Sequence, residues 1–476
     1  MRRTLLKPTS AVALALAALV VGATRVHAEG LGVTQVSALS TFAPGCAGPR
    51  QTGTNHRNQS VEPSIASDPR NSQHIIGAWQ QGRWSDAGAN EIVTGVSNDG
   101  GASWTRTTAP FAHCEGGNRS NGGDFERVTD PWVTISPAGV AYESAITFDV
   151  STGHQAMVVS RSRDGGSTWS SAVPLTKDNS FDVILDKDSI TADPGRPSDA
   201  YAVWDRLSGL SNPTNKTFRG PTYFSRTTNG GLSWEVARVI YDPGAAAQTF
   251  GNQIAVLPNG DLVDMFTLFP DAGPRMDVAV IRSTDEGRTW STPTIINSLQ
   301  SVPVTDPKTG TQLRTGDIVP AVGVDSKSGT LFVTWQDARF GHGTVDGIVL
   351  SRSGDGGRTW SPPTQVNSVH SVQAFTPAIN VNSDGTVGLL YSDFRNDTTN
   401  PGVLFTNYWL ARSGNGGRTW SEKQVGGTFD FLKAPDLFLG DYMSLSASLE
   451  PLVAIPNPSA GVGHIDIFAG TKSLRQ

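Results

Sequence analysis

An octapeptide ending in tryptophan recurs six times in this chain, and no other feature constrains the fold as tightly. It reads Ser97-Asn-Asp-Gly-Gly-Ala-Ser-Trp104, Ser162-Arg-Asp-Gly-Gly-Ser-Thr-Trp169 and Thr227-Thr-Asn-Gly-Gly-Leu-Ser-Trp234. It returns as Ser283-Thr-Asp-Glu-Gly-Arg-Thr-Trp290, Ser353-Gly-Asp-Gly-Gly-Arg-Thr-Trp360 and Ser413-Gly-Asn-Gly-Gly-Arg-Thr-Trp420. The tryptophans lie 65, 65, 56, 70 and 60 residues apart, a spacing that marks a chain built from repeated supersecondary units. Each octapeptide has the chemistry of a tight hairpin. Asp or Asn at its third position accepts bonds from nearby backbone N–H groups, Gly at its fifth permits positive φ, and the tryptophan is an apolar plug.

A strand is expected before each box, at Ile92–Val96, Ala156–Ser160, Tyr223–Arg226, Val278–Arg282, Ile348–Ser351 and Tyr408–Ala411, and another after it. Upstream lies a strand–turn–strand pattern, as in Pro63–Ala66 with His74–Trp79, Ile318–Val324 with Leu331–Trp335, and Pro377–Val381 with Val387–Tyr391. The intervening turns carry Asp-Pro, Pro-Asn-Gly or Ser-Asp-Gly. Each repeat is therefore four antiparallel strands with the box between the third and fourth, and such units arranged radially make an all-β propeller. First strands begin near Glu62, Val128, Asp188, Asn252, Asp317, Thr376 and Asp441, which predicts seven blades; six blades with a cap is the alternative. The last unit has no box and three strands, Tyr442–Ala447, Leu452–Ile455 and His464–Ala469. Val33–Phe42 is expected to supply its outer strand.

The first 28 residues read as a secretory signal: Arg2, Arg3 and Lys7, the apolar run Ala11–Ala23, and the small-residue site Val26-His27-Ala28. Arg2-Arg3-Thr4-Leu5-Leu6-Lys7 resembles a twin-arginine export signal. The expected organisation is a leader over 1–28, an N-terminal segment over 29–60 and the repeat domain over 61–476, in a secreted or periplasmic product. Loss of the leader takes the net charge from −6 to −10, which argues against nucleic acid as a partner. No later stretch is apolar enough for a membrane span. In an oxidising compartment Cys46 and Cys114 are expected to pair. Neither they nor the eight histidines show a metal-ligand spacing, no cofactor is implied, and a structural calcium is not indicated.

The boxes fit S-x-D-x-G-x-T-W, and this resembles the Asp-box (BNR) repeat of sialidases and related propellers. The resemblance covers essentially the whole mature chain. It implies that the boxes lie on the face away from the active site, so that chemistry sits at the opposite mouth. There the first-strand starts bring Glu62, Asp130, Asp188, Asp317 and Asp441, and the second-strand ends bring Arg83, Asp205-Arg206, Asp337-Ala-Arg339 and Asp393-Phe-Arg395. As single residues the arginines read best as structural salt bridges between blades. As a set they read as a mouth for a polar glycan ligand.

Sialidases use a Tyr nucleophile assisted by Glu, an Asp acid/base and arginines that hold the substrate carboxylate. By resemblance, Asp86 in Gly82-Arg-Trp-Ser-Asp86 matches the acid/base loop, Tyr442 matches the nucleophile, and Glu62 is the candidate base for Tyr442. Arg83, Arg339 and Arg395, with Asp441, are the candidate substrate-binding residues. The chain departs from the family at three places. Val61-Glu62-Pro63 stands where the family has Arg-Ile-Pro, no glutamate precedes Asn252-Gln253, and Met265–Phe269 ends without an arginine. The expectation is therefore a sialidase-like glycoside hydrolase, with two alternatives: a non-catalytic glycan- or protein-binding propeller, and a polysaccharide lyase.

Overall fold

In the computed structural model, residues 31–211, 217–271 and 273–470 are described, and the proposed leader lies outside them. Among the described residues no helix is long and apolar enough to cross a membrane. The fold is all-β. Six units of four antiparallel strands follow one another. The first comprises Asn55–Asp68, Asn71–Trp84, Ala89–Ser97 and Thr105–Thr107. The second comprises Arg127–Ile135, Ala141–Phe148, His154–Ser162 and Val173–Asn179. The third, fourth, fifth and sixth begin at Val183–Ala192, Ala247–Val256, Ala321–Val324 and Ala374–Val381.

A last unit is made by Ser444–Leu445, Pro451–Pro456 and Ile465–Gly470, with Val33–Gln35 pairing antiparallel to its outer edge. Here the structure is sparser than expected. Of Val33–Phe42 only three residues are strand, and of Tyr442–Ala447 only two. The reason is local: Val36 and Ser37 still bond the edge strand at Ile467 and Asp466, but through irregular backbone and side-chain contacts, and from Ala38, whose carbonyl accepts from Gln81, the chain bonds the first unit instead. Ile318–Pro320 likewise precede the fifth unit's first strand.

Single bridges such as Ala89↔Val128 and Gln59↔Ile465 join neighbouring units, giving sheets of 12, 9, 4 and 4 strands, none closed on itself. The first strands of successive units pack against one another in chain order, and the short Ser444–Leu445 strand packs against Asn55–Asp68 of the first unit. Side chains from facing units make the apolar core. Trp79, Trp204 and Trp335 are wholly buried within it, and the box tryptophans half-bury at its edge.

All six boxes sit between third and fourth strands. In the first, Asp99 Oδ1 accepts from Ser97 Oγ (2.9 Å) and Ser103 N (2.9 Å), while Oδ2 accepts from Ser103 Oγ at 2.6 Å. The fourth and fifth positions both adopt left-handed φ, 73° and 90° at Gly100 and Gly101. Glu286 alone occupies the fourth position with a side chain, at φ 63°.

Candidate functional site

The site begins with a backbone irregularity that repeats. In five units the first strand shifts register against the second at the same place: between Val61 and Ser64, Thr129 and Trp132, Asp186 and Ser189, Phe250 and Gln253, and Phe375 and Ala378. Each shift leaves one residue in the left-handed region, Glu62 (φ 53°), Asp130 (53°), Lys187 (44°), Gly251 (71°) and Thr376 (52°). A bulge bends a strand and re-aims its side chain. Left-handed φ costs a non-glycine residue about 1–2 kcal/mol, so it persists only where the surroundings enforce it. At the first three positions the enforcing partner is ionic.

Lys187 Nζ lies 3.2 Å from Asp130 Oδ1, 2.9 Å from Asp441 Oδ2 and 3.6 Å from Glu62 Oε1. One buried ammonium thus ties together four units. Arg314 Nη2 reaches Asp441 Oδ2 from the solvent side at 3.0 Å. Glu62 is further held by the Asp441 N–H, 3.0 Å from Oε1, and by the Gln80 side-chain amide on Oε2. Three carboxylates share one lysine, and burial decides which keeps its proton. Burial pushes Glu62 up to about 7, with Lys187 drawing it down only in part. Burial raises Asp130 as well. At Asp441 burial is overcome by Lys187 and Arg314, which hold it at about 2. Lys187 is desolvated, yet its carboxylate partners raise it well above the ordinary lysine value. It is a fixed positive charge at neutral pH.

Above this cluster opens a cleft of about 470 Å³. Its charged lining includes Glu62, Arg83, Asp86, Arg127, Asp130, Lys187 and Arg314. Its apolar lining is made by Ile146, Phe148, Val150, Phe181 and Ile184, and Phe181 is 69% exposed. Asp86 accepts from Arg127 Nη1 at 2.7 Å and Thr52 Oγ1 at 2.5 Å. Burial would raise its pKa, but these two donors hold it below the usual carboxylate value. Arg127 is buried over Trp84, its guanidinium 4.4 Å from the ring centroid, and bonds Gln51 Oε1, Thr52 O, Ala87 O and Asp86. Arg83 and Arg314 both lie against Phe438, at 4.4 and 4.2 Å from its centroid. Desolvation lowers the Arg83 pKa.

The sequence-predicted residues divide into two groups. Glu62, Arg83 and Asp86 line the one cleft, and Asp441 lies directly beneath it. Tyr442 does not reach the cleft. Its hydroxyl donates to the Pro131 carbonyl at 3.2 Å, its ring packs 5.7 Å from Trp132, and burial raises its pKa well above the usual phenol value. It faces the space between the first strands on the far side of the ion cluster, so Glu62 is not its hydrogen-bonding partner.

Arg339 and Arg395 also stand apart, because each folds back on the aspartate two residues earlier. Arg339 bonds Asp337 (2.8 Å) and crosses to Asn297 of the fourth unit (2.7 Å). Arg395 bonds Asp393 (2.6 Å) and Glu422 (2.9 Å) and stacks on Trp409 at 3.8 Å. Cys46 and Cys114 form a disulfide. Lys187, Arg314 and Arg127 are the cleft residues that sequence reasoning missed. Lys187 had a signal: it occupies the strand position of Glu62 and Asp130 in the next repeat.

A family model described as "BNR repeat-like domain" matches residues 222–467, more than half of the chain. The chain belongs to this BNR repeat-like family. Four of the six boxes fall inside the match, and the first two make the same turn outside it. Among solved structures the chain is similar to a Hadza microbial sialidase (16% identity, 84% of this chain and 74% of that one, TM-score 0.48). It is also similar to an α-L-arabinanase of Penicillium chrysogenum (14%, 84% and 98%, 0.47) and to the NanB sialidase of Streptococcus pneumoniae (8%, 88% and 93%, 0.48). No curated protein matches the chain.

Proposed function

We propose that this BNR-repeat protein is an exported glycoside hydrolase, a seven-bladed propeller whose active site is the Glu62–Asp86 cleft. The propeller reading is supported by the cyclic order in which first strands meet, the seventh unit against the first. The catalytic reading is carried by one observation: Glu62 and Asp86 line the same cleft with their protonation pushed in opposite directions. Environments that separate two carboxyl pKa values assign an acid and a base. Glu62, near pKa 7, gives its proton to the glycosidic oxygen as the C–O bond breaks. Asp86, ionised, takes the proton of the attacking water or attacks the anomeric carbon itself. The exposed Phe181 and its apolar neighbours offer a surface for sugar C–H faces. In this reading the Tyr442 phenol, engaged behind the ion cluster, serves the scaffold.

The test is release of reducing sugar from sialyl, arabinosyl and uronate-containing glycans by wild type, Glu62→Gln and Asp86→Asn. Loss of turnover by 100-fold or more in both variants supports the pair, and unchanged turnover in either sinks it. A rise in ultraviolet absorbance from an unsaturated product would instead mark a lyase. The competing reading, a glycan-binding propeller, draws on Arg127, four of whose five N–H donors are taken by the protein, one of them by Asp86. Retained glycan binding by both variants with no turnover by wild type would favour it.

A further inference from the structure

Asp86 is held from one side by Arg127 of the second unit and from the other by chain that precedes every repeat. Between the edge strand Val33–Gln35 and Asn55 the segment has no strand of its own, and it reaches the loop that carries Asp86. Three of its consecutive residues meet the Asp86 loop. Thr52 donates its hydroxyl to Asp86 Oδ2 at 2.5 Å and gives its carbonyl to Arg127 Nη2 at 2.7 Å. Thr54 exchanges bonds of 2.9 Å with Ser85 through N–H to Oγ and O to N–H. Gly53, at φ 74°, lies so close that a Cβ there would sit 2.5 Å from Asp86 Oδ1. Gln51 completes the contact by accepting from Arg127 Nε at 2.7 Å and donating to Ala47 O at 2.9 Å.

This stretch is fastened at Cys46 to Cys114. Cys114 sits in a short 3₁₀ turn that is itself rigidly anchored. The buried Glu115 carboxylate accepts from the backbone N–H groups of Phe111 (3.0 Å), Ala112 (2.9 Å) and Ile92. Upstream the chain is already held where Arg57 donates to the Ser40 and Phe42 carbonyls, so the disulfide shortens the loop that must find Asp86 from 43–54 to 47–54, which lowers the entropy cost of ordering it.

We propose that residues 46–54 are a disulfide-anchored strap that positions the Asp86 carboxylate, with Thr52 as its positioning residue. The strap touches Asp86 and Arg127, so its effect on chemistry passes through them. This inference rests on the cleft being the working site, but its test has a readout independent of turnover.

The protein is labelled with ¹³C at aspartate carboxyls, and Asp86 is identified by the signal missing in Asp86→Asn. Its titration midpoint is followed in wild type, Thr52→Val, Thr52→Ser, Gly53→Ala and the double variant Cys46→Ser/Cys114→Ser. In Thr52→Val and in the double variant the midpoint is expected to rise toward the free-aspartate value of about 3.9, and Thr52→Ser is expected to keep it low. Where a substrate is turned over, Thr52→Val lowers kcat about tenfold with KM little changed, and moves the acid limb of the pH profile upward. Thr52→Val preserves shape, so the proposal stays testable if the double variant fails to fold. An Asp86 midpoint unmoved by Thr52→Val overturns it. A midpoint that moves in a protein inactive on every glycan leaves the strap standing and removes the hydrolase reading.

Discussion

Lys187→Met removes the one charge that joins Glu62, Asp130 and Asp441, and its cost depends on pH in a way the cluster dictates. In wild type Asp441 stays ionised because Lys187 and Arg314 face it, while Glu62 already binds a proton up to about pH 7. Without the ammonium, Arg314 is the cation left beside Asp441, and at least one more buried carboxyl has its folded pKa raised above its unfolded value. A carboxyl raised in this sense stabilises fully only below its unfolded pKa, and stability is lost as pH climbs toward the folded value. Holding that proton costs about 1.4 kcal/mol per pH unit above about 3.9. The deficit against wild type is therefore about 1–2 kcal/mol at pH 5. By pH 8 it reaches the cost of an uncompensated buried charge, about 3–5 kcal/mol. Urea unfolding followed by the fluorescence of the twelve tryptophans measures both. Equal deficits at the two pH values would mean that lost packing, not charge, is what the substitution removes. A deficit under about 1 kcal/mol at pH 8 would mean that the cluster holds nothing together.

Three further outcomes are expected. Glu143 is buried, accepts from Thr94 Oγ1 at 2.8 Å and is pushed up to about 8 by desolvation, so its contribution falls as pH rises from about 4.3 through 8. Glu143→Gln should match wild type near pH 5 and exceed it by about 2–4 kcal/mol at pH 8 in the same urea assay. In the second box, Asp164 accepts from Ser162, Thr168 N and Thr168 Oγ1, which hold it at about 2; Asn229 and Asn415 make the equivalent turns with the amide donating instead. Thermal melts should therefore show Asp164→Asn within about 0.5 kcal/mol of wild type and Asp164→Ala destabilised by about 1 kcal/mol. Tyr442→Phe loses one bond to the Pro131 carbonyl and should cost about 1 kcal/mol while leaving kcat within threefold, whereas a nucleophilic tyrosine would lose it by orders of magnitude.

The frame was legible because its determinants are local and repeated. Ser, Asp, Gly and Trp act within eight residues of one another, so a single window holds the whole turn, and six copies place twelve strands without reference to tertiary contacts. Glu62 and Arg83 were reachable by counting strand starts and ends from those turns, and Asp86 through the likeness of its loop to the family's. Tyr442 and the pair Arg339 and Arg395 were not, because strand position fixes where a Cα lies but not where a long side chain finds its partner. Arg339 has Asp337 and Asn297 nearer than the cleft, and Arg395 has Asp393 and Glu422. Arg314 lies in a loop between units with no repeat to align it, and Arg127 precedes its bulge by three residues, where no equivalent residue shares its role.

The charged cluster shows how a repeat acquires a site. One strand position is left-handed in five units, and what stands there differs: Glu62, Asp130, Lys187, Gly251 and Thr376. Gly251 adopts this φ without strain, and its N–H donates to Asp205 Oδ2 at 2.8 Å. A glycine at every position would therefore relax the backbone and empty the cluster of Glu62, Asp130 and Lys187. Three adjacent units keep side chains there despite a cost of about 1–2 kcal/mol each, and those three carry two acids and one base that neutralise one another. The strain and the ion pairing are thus mutually dependent. The bulges aim the charges inward to a common point, and the charges hold the bulges in a conformation none of the three residues favours alone. Because the bulge backbone is common to five units while its side chains are not, the inner strands can repeat around the molecule and the chemistry can belong to one cleft.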